Sequence, residues 1–300
     1  MSDVNVDENA AVNVSNNGLG VNVWWTVPSV VLDGQRVQQV LERLGFVKEA
    51  IPLPSRRTEV SRACYSFQNR QGKVGRKITE KIADDDIYAT YGILNRRERS
   101  GRVSFRQGTT VKLEKASGSV TAEGTMAFEV LDAVKEYEGK IIDDDIRSFL
   151  RQVIVDSRGV AKRPSGGIYF IPAQYVSKIV KANEVLREIG GGAKLYIEGI
   201  INGVQERQNI WGSVEEEIDG QIAETLAAVE RIGRSTDAMK DQQTRLDGLK
   251  ELAEVYQNLL GEEAKYQDLA ERIEGAVKQV SAKMQKLQEG TAARLRKKAA

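Results

Sequence analysis

The sequence predicts an α+β protein in two parts: a small antiparallel-sheet and helix head, followed by a long helical coiled-coil C-terminal arm. Three observations predict it. Residues 87–115 alternate apolar and polar in short runs. Residues 127–189 carry apolar stripes at helical spacing. After Trp211-Gly212 the texture changes to a long 3-4 apolar repeat with no proline beyond Pro172. The corresponding organisation is a tail at 1–20, a head at 21–210 (with subdomains at 21–122 and 123–210), a coiled coil at 213–290 and a basic tail at 291–300.

Taken in order, residues 1–20 are rich in Asn, Val, Ser and Gly, without Lys or Arg, and read as a disordered tail. "VNVWWTVPSVVL" reads as a strand region that Pro28 breaks or confines to an edge. Asp33 caps a helix running to about Leu44, with Val37, Val40, Leu41 and Leu44 on one stripe and Gly45 as its stop. A short helix after Pro54 carries Val60, Ala63 and Phe67 on one face. Ile87, Ala89, Tyr91 and Ile93 share a strand face; "NRRERSG" reads as a turn; "RVSFR" and "TVKLEK" read as strands with Gly108 between them. Stripes at Ala127, Val130, Leu131, Val134 and Tyr137, and at Ile146, Phe149, Leu150, Val153 and Ile154, predict two helices. A hairpin on Gly166-Gly167, a helix over about 173–189, the stop "GGG" and the strand "AKLYIEGII" complete the head.

In the C-terminal part, Ser213 and Glu216 have capping-box spacing. Tyr256, Leu259, Glu263, Tyr266, Ala270, Ile273, Val277, Val280, Met284 and Leu287 follow a 3-4 alternation that predicts a coiled coil. A weaker repeat from Ile218 to Leu246 is out of phase with it, because Leu246, Leu249 and Leu252 are three apart. Either one long helix carries a stammer there, or the chain turns at Asp247-Gly248 into a hairpin.

The chain has 300 residues, 41% hydrophobic and 29% charged, with a formal net charge of +1, one cysteine and no histidine. Without histidine there is no Ser-His-Asp or Cys-His pair, no imidazole metal ligand and no imidazole base. A lone Cys64 excludes an internal disulfide and a multi-cysteine zinc site. No apolar run has the length to span a membrane, and the first residues lack a signal-peptide pattern. These absences predict a non-enzymatic, cytoplasmic protein with no metal, no cofactor and no catalytic residues. The near-zero balance hides segregation. Residues 43–115 hold 17 Lys/Arg and 8 Asp/Glu, residues 215–263 hold 5 and 13, and residues 264–300 hold 9 and 4.

The candidate site follows from that first excess. Arg56, Arg57, Arg76, Lys77, Arg96, Arg97, Arg99, Arg102 and Arg106 cluster in sequence, and Tyr88, Tyr91 and Phe105 interleave with them. Cationic, aromatic sheets suit single-stranded nucleic acid; the same cations would also meet an acidic helix of a partner chain. Lys162 and Arg163 precede the turn "PSGGIYFIP", which reads as a plain hairpin or as the wing of a nucleic-acid-binding domain beside the helix at 146–156. The glycines there open a strand rather than a helix, so they make no phosphate loop, and "GGGAK" at 190–194 has the reverse of a P-loop's order. Asp143–Asp145 are positioned to cap a helix, and Asp84–Asp86 to form a turn, rather than to hold metal. Trp24, Trp25, Cys64 and Tyr65 read as packing residues.

The pairing of "DDDIRSFLRQVI" with "RPSGGIYFIP" resembles a family of unknown function carried by phages, plasmids and other bacterial mobile elements. The resemblance spans about residues 125–205. It implies a bacterial host, a predicted C-terminal coiled coil and a neighbourhood of MoxR-like ATPases and von Willebrand-type proteins, and it brings no activity and no site residue. The expectation is an accessory protein, self-associating through residues 214–290, whose basic head binds DNA or RNA; the alternative is a structural or adaptor protein working with a partner such as an AAA+ ATPase.

Overall fold

The computed structural model describes residues 18–47, 50–67, 76–82, 87–99, 102–163, 166–232 and 235–299. Of 76–77, 82, 87–88, 95–99, 102–107, 236, 287–288 and 290–299 it describes the backbone only. The chain is α+β and divides into two units. One comprises Met1–Thr26, Leu150–Glu184 and Lys194–Ala300; the other comprises Val27–Phe149 and Val185–Ala193.

In the first unit, strand β1 (Gly18–Thr26) is flanked by β10 (Lys194–Ile201) and β9 (Tyr169–Pro172), with β8 (Val160–Ala161) outside β9, all antiparallel. The strand therefore opens inside the stretch expected to be a tail, and β1 is central rather than an edge. Pro28 lies beyond its end, where a missing N–H removes no ladder bond. At Gly20 the backbones approach closely: a Cβ there would lie 2.0 Å from the Ile171 carbonyl oxygen.

Helices α6 (Val204–Arg231), α7 (Thr236–Leu260) and α8 (Glu263–Ala299) follow β10. The expectation of a head with a separate coiled-coil arm is not met. Ile210, Trp211, Val214 and Ile218 of α6, Leu246, Leu249 and Tyr256 of α7, and Leu269, Ile273 and Val280 of α8 are buried in one cluster with Leu19, Val160 and Phe170 of the sheet. Each such burial is worth about 1.5–3 kcal/mol, so the apolar stripes have their partners within the unit.

The helices form an up-down-up bundle. The Arg207 guanidinium donates to the Leu260 carbonyl (2.9 Å) and Arg245 pairs with Glu224 (2.8 Å), so α6 and α7 are antiparallel. Arg272 pairs with Asp219 (2.6 Å) and Lys283 with Glu230 (3.1 Å), so α6 and α8 run parallel. The acidic and basic segments of the sequence thus neutralise each other. The turns fall after Arg231 and at Gly261, whose φ of +68° ends α7. Helix α7 runs unbroken through Leu246–Leu252, so neither the long stammered helix nor a hairpin at Asp247-Gly248 is found. The 256–287 repeat crosses from α7 to α8. Tyr256 stitches the bundle to the loop before β8, its hydroxyl donating to the Arg158 carbonyl (2.9 Å).

In the second unit, β2 (Val31–Asp33) pairs with β7 (Lys140–Ile142). Asp33 caps α1 (Gly34–Arg43), accepting the Arg36 N–H at 3.0 Å. Strands β3 (Arg76–Ile82), β4 (Ile87–Arg99), β5 (Arg102–Glu114) and β6 (Val120–Gly124) form an antiparallel meander. Helices α2 (Arg56–Tyr65) and α3 (Ala127–Glu136) cover it, and Val60, Ala63, Cys64, Val130 and Val134 bury Ile78, Ala89, Tyr91, Ile93, Val111 and Leu113. Two helices are divided between the units: α4 (Asp143–Asp156), which opens directly after β7, and α5 (Val176–Ile189), which follows a short 3-10 turn. No described helix is long and apolar enough to cross a membrane.

Candidate nucleic-acid interface

The basic cluster is built on β4 and β5. Residues 95–99, expected in a turn, are strand, and β5 is one strand through Gly108 rather than two. The pairing Ile93↔Thr109 followed by Leu94↔Gln107 leaves Gly108 as an extra residue, a β-bulge. Its carbonyl accepts the Thr125 N–H (3.1 Å). Gly124 passes so close that a Cβ there would lie 2.2 Å from that oxygen.

Beyond the bulge the register is Asn95↔Arg106, Arg96↔Phe105, Arg97↔Ser104, Glu98↔Val103 and Arg99↔Arg102. Opposed residues share a face, and faces alternate along a strand. The face that carries buried Ala89, Tyr91 and Ile93 therefore continues as Asn95, Arg97 and Arg99, with Arg106, Ser104 and Arg102 across from them. In sequence that row is apolar as far as Ile93 and polar and arginine-rich beyond it. Phe105 falls on the opposite face, with Arg96 and Glu98. Arg76 and Lys77 of β3 pair with Asn95 and Leu94 at the same end of the sheet. The side chains of Arg76, Lys77, Arg96, Arg97, Arg99, Arg102 and Arg106, and of Tyr88 and Phe105, lie outside the described residues; register alone places them.

Arg56 and Arg57 belong to the framework. Arg56 pairs with Glu59 (2.9 Å) and Glu138 (3.7 Å) and donates to the Gly118 carbonyl (3.3 Å). Glu59, buried, also accepts the Gly139 N–H at 2.8 Å. Arg57 holds Glu80 (2.7 Å), which accepts from the Tyr91 hydroxyl (3.2 Å). Burial, with the Glu80 carboxylate beside it, pushes the Tyr91 phenol up to about 12. These bonds fix the base of the β4–β5 hairpin against α2.

Lys162 and Arg163 lie in the other unit. The hairpin at Gly166-Gly167 is present, both glycines at positive φ. Lys162 pairs with Glu206 (3.6 Å) and the preceding Arg158 with Glu251. Arg163 lines a cleft of about 590 Å³ with Glu216, Glu217, Asp219, Glu224 and Arg245, where carboxylates outnumber cations and oppose phosphate.

The aspartate triplet at 143–145 opens α4, with the capping role on Asp145. Its carboxylate accepts the Ile142 N–H (2.9 Å) and pairs with Arg62 (2.6 Å), while Asp143 and Asp144 meet Arg147. Asp84–Asp86 lie outside the described residues. Among the described residues no cluster of acidic and cysteine side chains could hold a metal. Cys64 is buried and its thiol pushed up to about 12 by burial, so it is no nucleophile at neutral pH. Trp24 stacks on Tyr196 and Trp25 on Tyr169, each at 5.4 Å.

An α+β architecture with a cationic β-hairpin thus defines the class of protein. The chain belongs to DUF6744, a family of unknown function whose model matches residues 18–294. No curated protein and no solved structure matches it.

Proposed function

We propose that this is a non-catalytic accessory protein whose β4–β5 hairpin binds nucleic acid. The observation that carries the reading is the register that sets Arg99 opposite Arg102 and gathers Arg97 and Arg106 onto the same face. Directly opposed like charges destabilise a hairpin. A polyanion laid along that face relieves the repulsion, and its condensed counterions are released in exchange. Arg96, Arg76 and Lys77 add to the field at the same end of the sheet. The reading rests on this hairpin rather than on Arg56, Arg57, Lys162 or Arg163, whose surroundings are acidic. A place in phages or other mobile elements of bacteria, in the host cytoplasm, is part of the same proposal and rests on the RPSGGIYFIP motif.

The test is binding of the full chain to mixed-sequence DNA and RNA across a salt series. At ~50 mM salt a complex is expected, with an affinity that falls along a log–log slope of about −4 for four or five neutralised phosphates. No complex with any nucleic acid at that salt overturns the proposal.

A further inference from the structure

We infer that β10 is the edge through which two copies of this chain join their sheets. Among the described residues β10 is the outermost strand of its sheet, with β1 on its inner side. Its surface is open: Lys194, Tyr196, Glu198, Gly199 and Ile201 are all exposed. Gly199 has no side chain, so what is exposed there is the backbone itself. An edge strand presents a row of N–H and C=O groups that serve as a template for another strand. Neither proline nor a bulge blunts this one. Its eight residues run from Lys194 to Ile201, and the register shift in its ladder with β1 falls on the β1 side, between Gly18 and Gly20. The edge is apolar as well as open, since Tyr196 and Ile201 are joined by exposed Val204 at the start of α6.

Charge identifies a second copy as the occupant. Two copies paired antiparallel about a two-fold axis set one residue opposite itself and match the rest symmetrically. With the axis at Tyr196, Lys194 faces Glu198 of the copy and Glu198 faces Lys194 of the copy, all on one face of the joined sheet. An axis at Glu198 opposes two carboxylates, and one at Ile197 leaves Lys194 opposite Ile200. Lys194 and Glu198 are exposed and join no ion pair among the described residues, so both are available to a copy. Tyr196 stacks on Trp24 at 5.4 Å with the rings 7° from parallel. Across the axis Tyr196 meets its own copy, and the aromatic row continues into the second sheet. Aromatic and opposite-charge pairs both stabilise an antiparallel ladder, and opposed like charges destabilise it.

The experiment is sedimentation of the full chain, free of nucleic acid, from ~1 to ~100 μM, where a monomer–dimer equilibrium is expected. Glu198→Lys and Lys194→Glu, each at an exposed position, are expected to weaken the dimer by about 10-fold or more, because each sets like charges opposite one another. The two changes combined in one chain restore opposite charges and are expected to restore the dimer. Tyr196→Cys is expected to form a disulfide-linked dimer under mild oxidation, since opposed residues of an antiparallel pair have Cα atoms about 4.5–5.5 Å apart. Ile201→Cys, far from the axis, is expected to stay unlinked, and Cys64 is buried and does not compete. A chain that stays monomeric throughout the series overturns the proposal. So does a dimer that is indifferent to both single charge reversals, or one that Tyr196→Cys does not link.

Discussion

At the scale of single residues, Asp145 separates a structural carboxylate from its exposed neighbours. It accepts the Ile142 N–H and pairs with Arg62, whose side chain is only 15% exposed, whereas Asp144 is 81% exposed. Asp145→Ala removes a cap and leaves a half-buried guanidinium without its carboxylate; a loss of about 2 kcal/mol is expected by urea unfolding. Asp144→Ala is expected to stay within about 0.5 kcal/mol. Tyr91 gives a pH signature. Its folded pKa of about 12 lies above the unfolded value of about 10, so the folded state holds the proton more tightly. That contribution is complete below about pH 10 and is lost as pH rises through about 12. Tyrosinate absorbance is expected to show two tyrosines that ionise late, Tyr91 and the buried Tyr256, and in Glu80→Gln the Tyr91 midpoint moves down, because the neighbouring negative charge is gone.

At the scale of elements, the sequence was readable where one local signal decided the outcome. Asp33 and Gly45 bracket α1, and Ala89, Tyr91 and Ile93 alternate because helices bury that face. "NRRER" was not readable as strand, since its residues carry no apolar period; the long pairing with "RVSFR" holds it extended. Gly108 hid one strand as two. Its apolar neighbours Val103, Phe105, Val111 and Leu113 keep one parity on both sides, so the alternation did not mark the bulge; the lone glycine inside a strand pattern was the only local sign. Gly124→Ala tests that joint. A Cβ would meet the Gly108 carbonyl at 2.2 Å from a backbone at φ +123°, so a cost of about 3 kcal/mol is expected on thermal unfolding. An unchanged midpoint would mean that the close approach is not as described.

At the scale of the whole molecule, the 3-4 repeat established that the C-terminal helices need apolar partners, and could not say which. Periodicity is the same for a partner on another chain and for a sheet in the same unit. Leu19, Val160 and Phe170 supply the answer. They lie far from α7 and α8 in the sequence, Leu19 across most of the chain, a separation that no local pattern reports. Removing residues 204–300 is therefore expected to leave those strand residues bare and to yield an aggregating or partly unfolded chain, seen as lost cooperativity in urea. A truncated chain with an intact, cooperative transition would contradict this core. The basic hairpin has a different character: by register, the row that holds Ala89, Tyr91 and Ile93 continues with four arginines across its two strands. Hydrogen–deuterium exchange of the full chain with and without duplex DNA tests that division most directly. Slowed exchange is expected, concentrated in peptides spanning 94–107; no change there, or protection confined to 204–299, would contradict a nucleic-acid-binding hairpin.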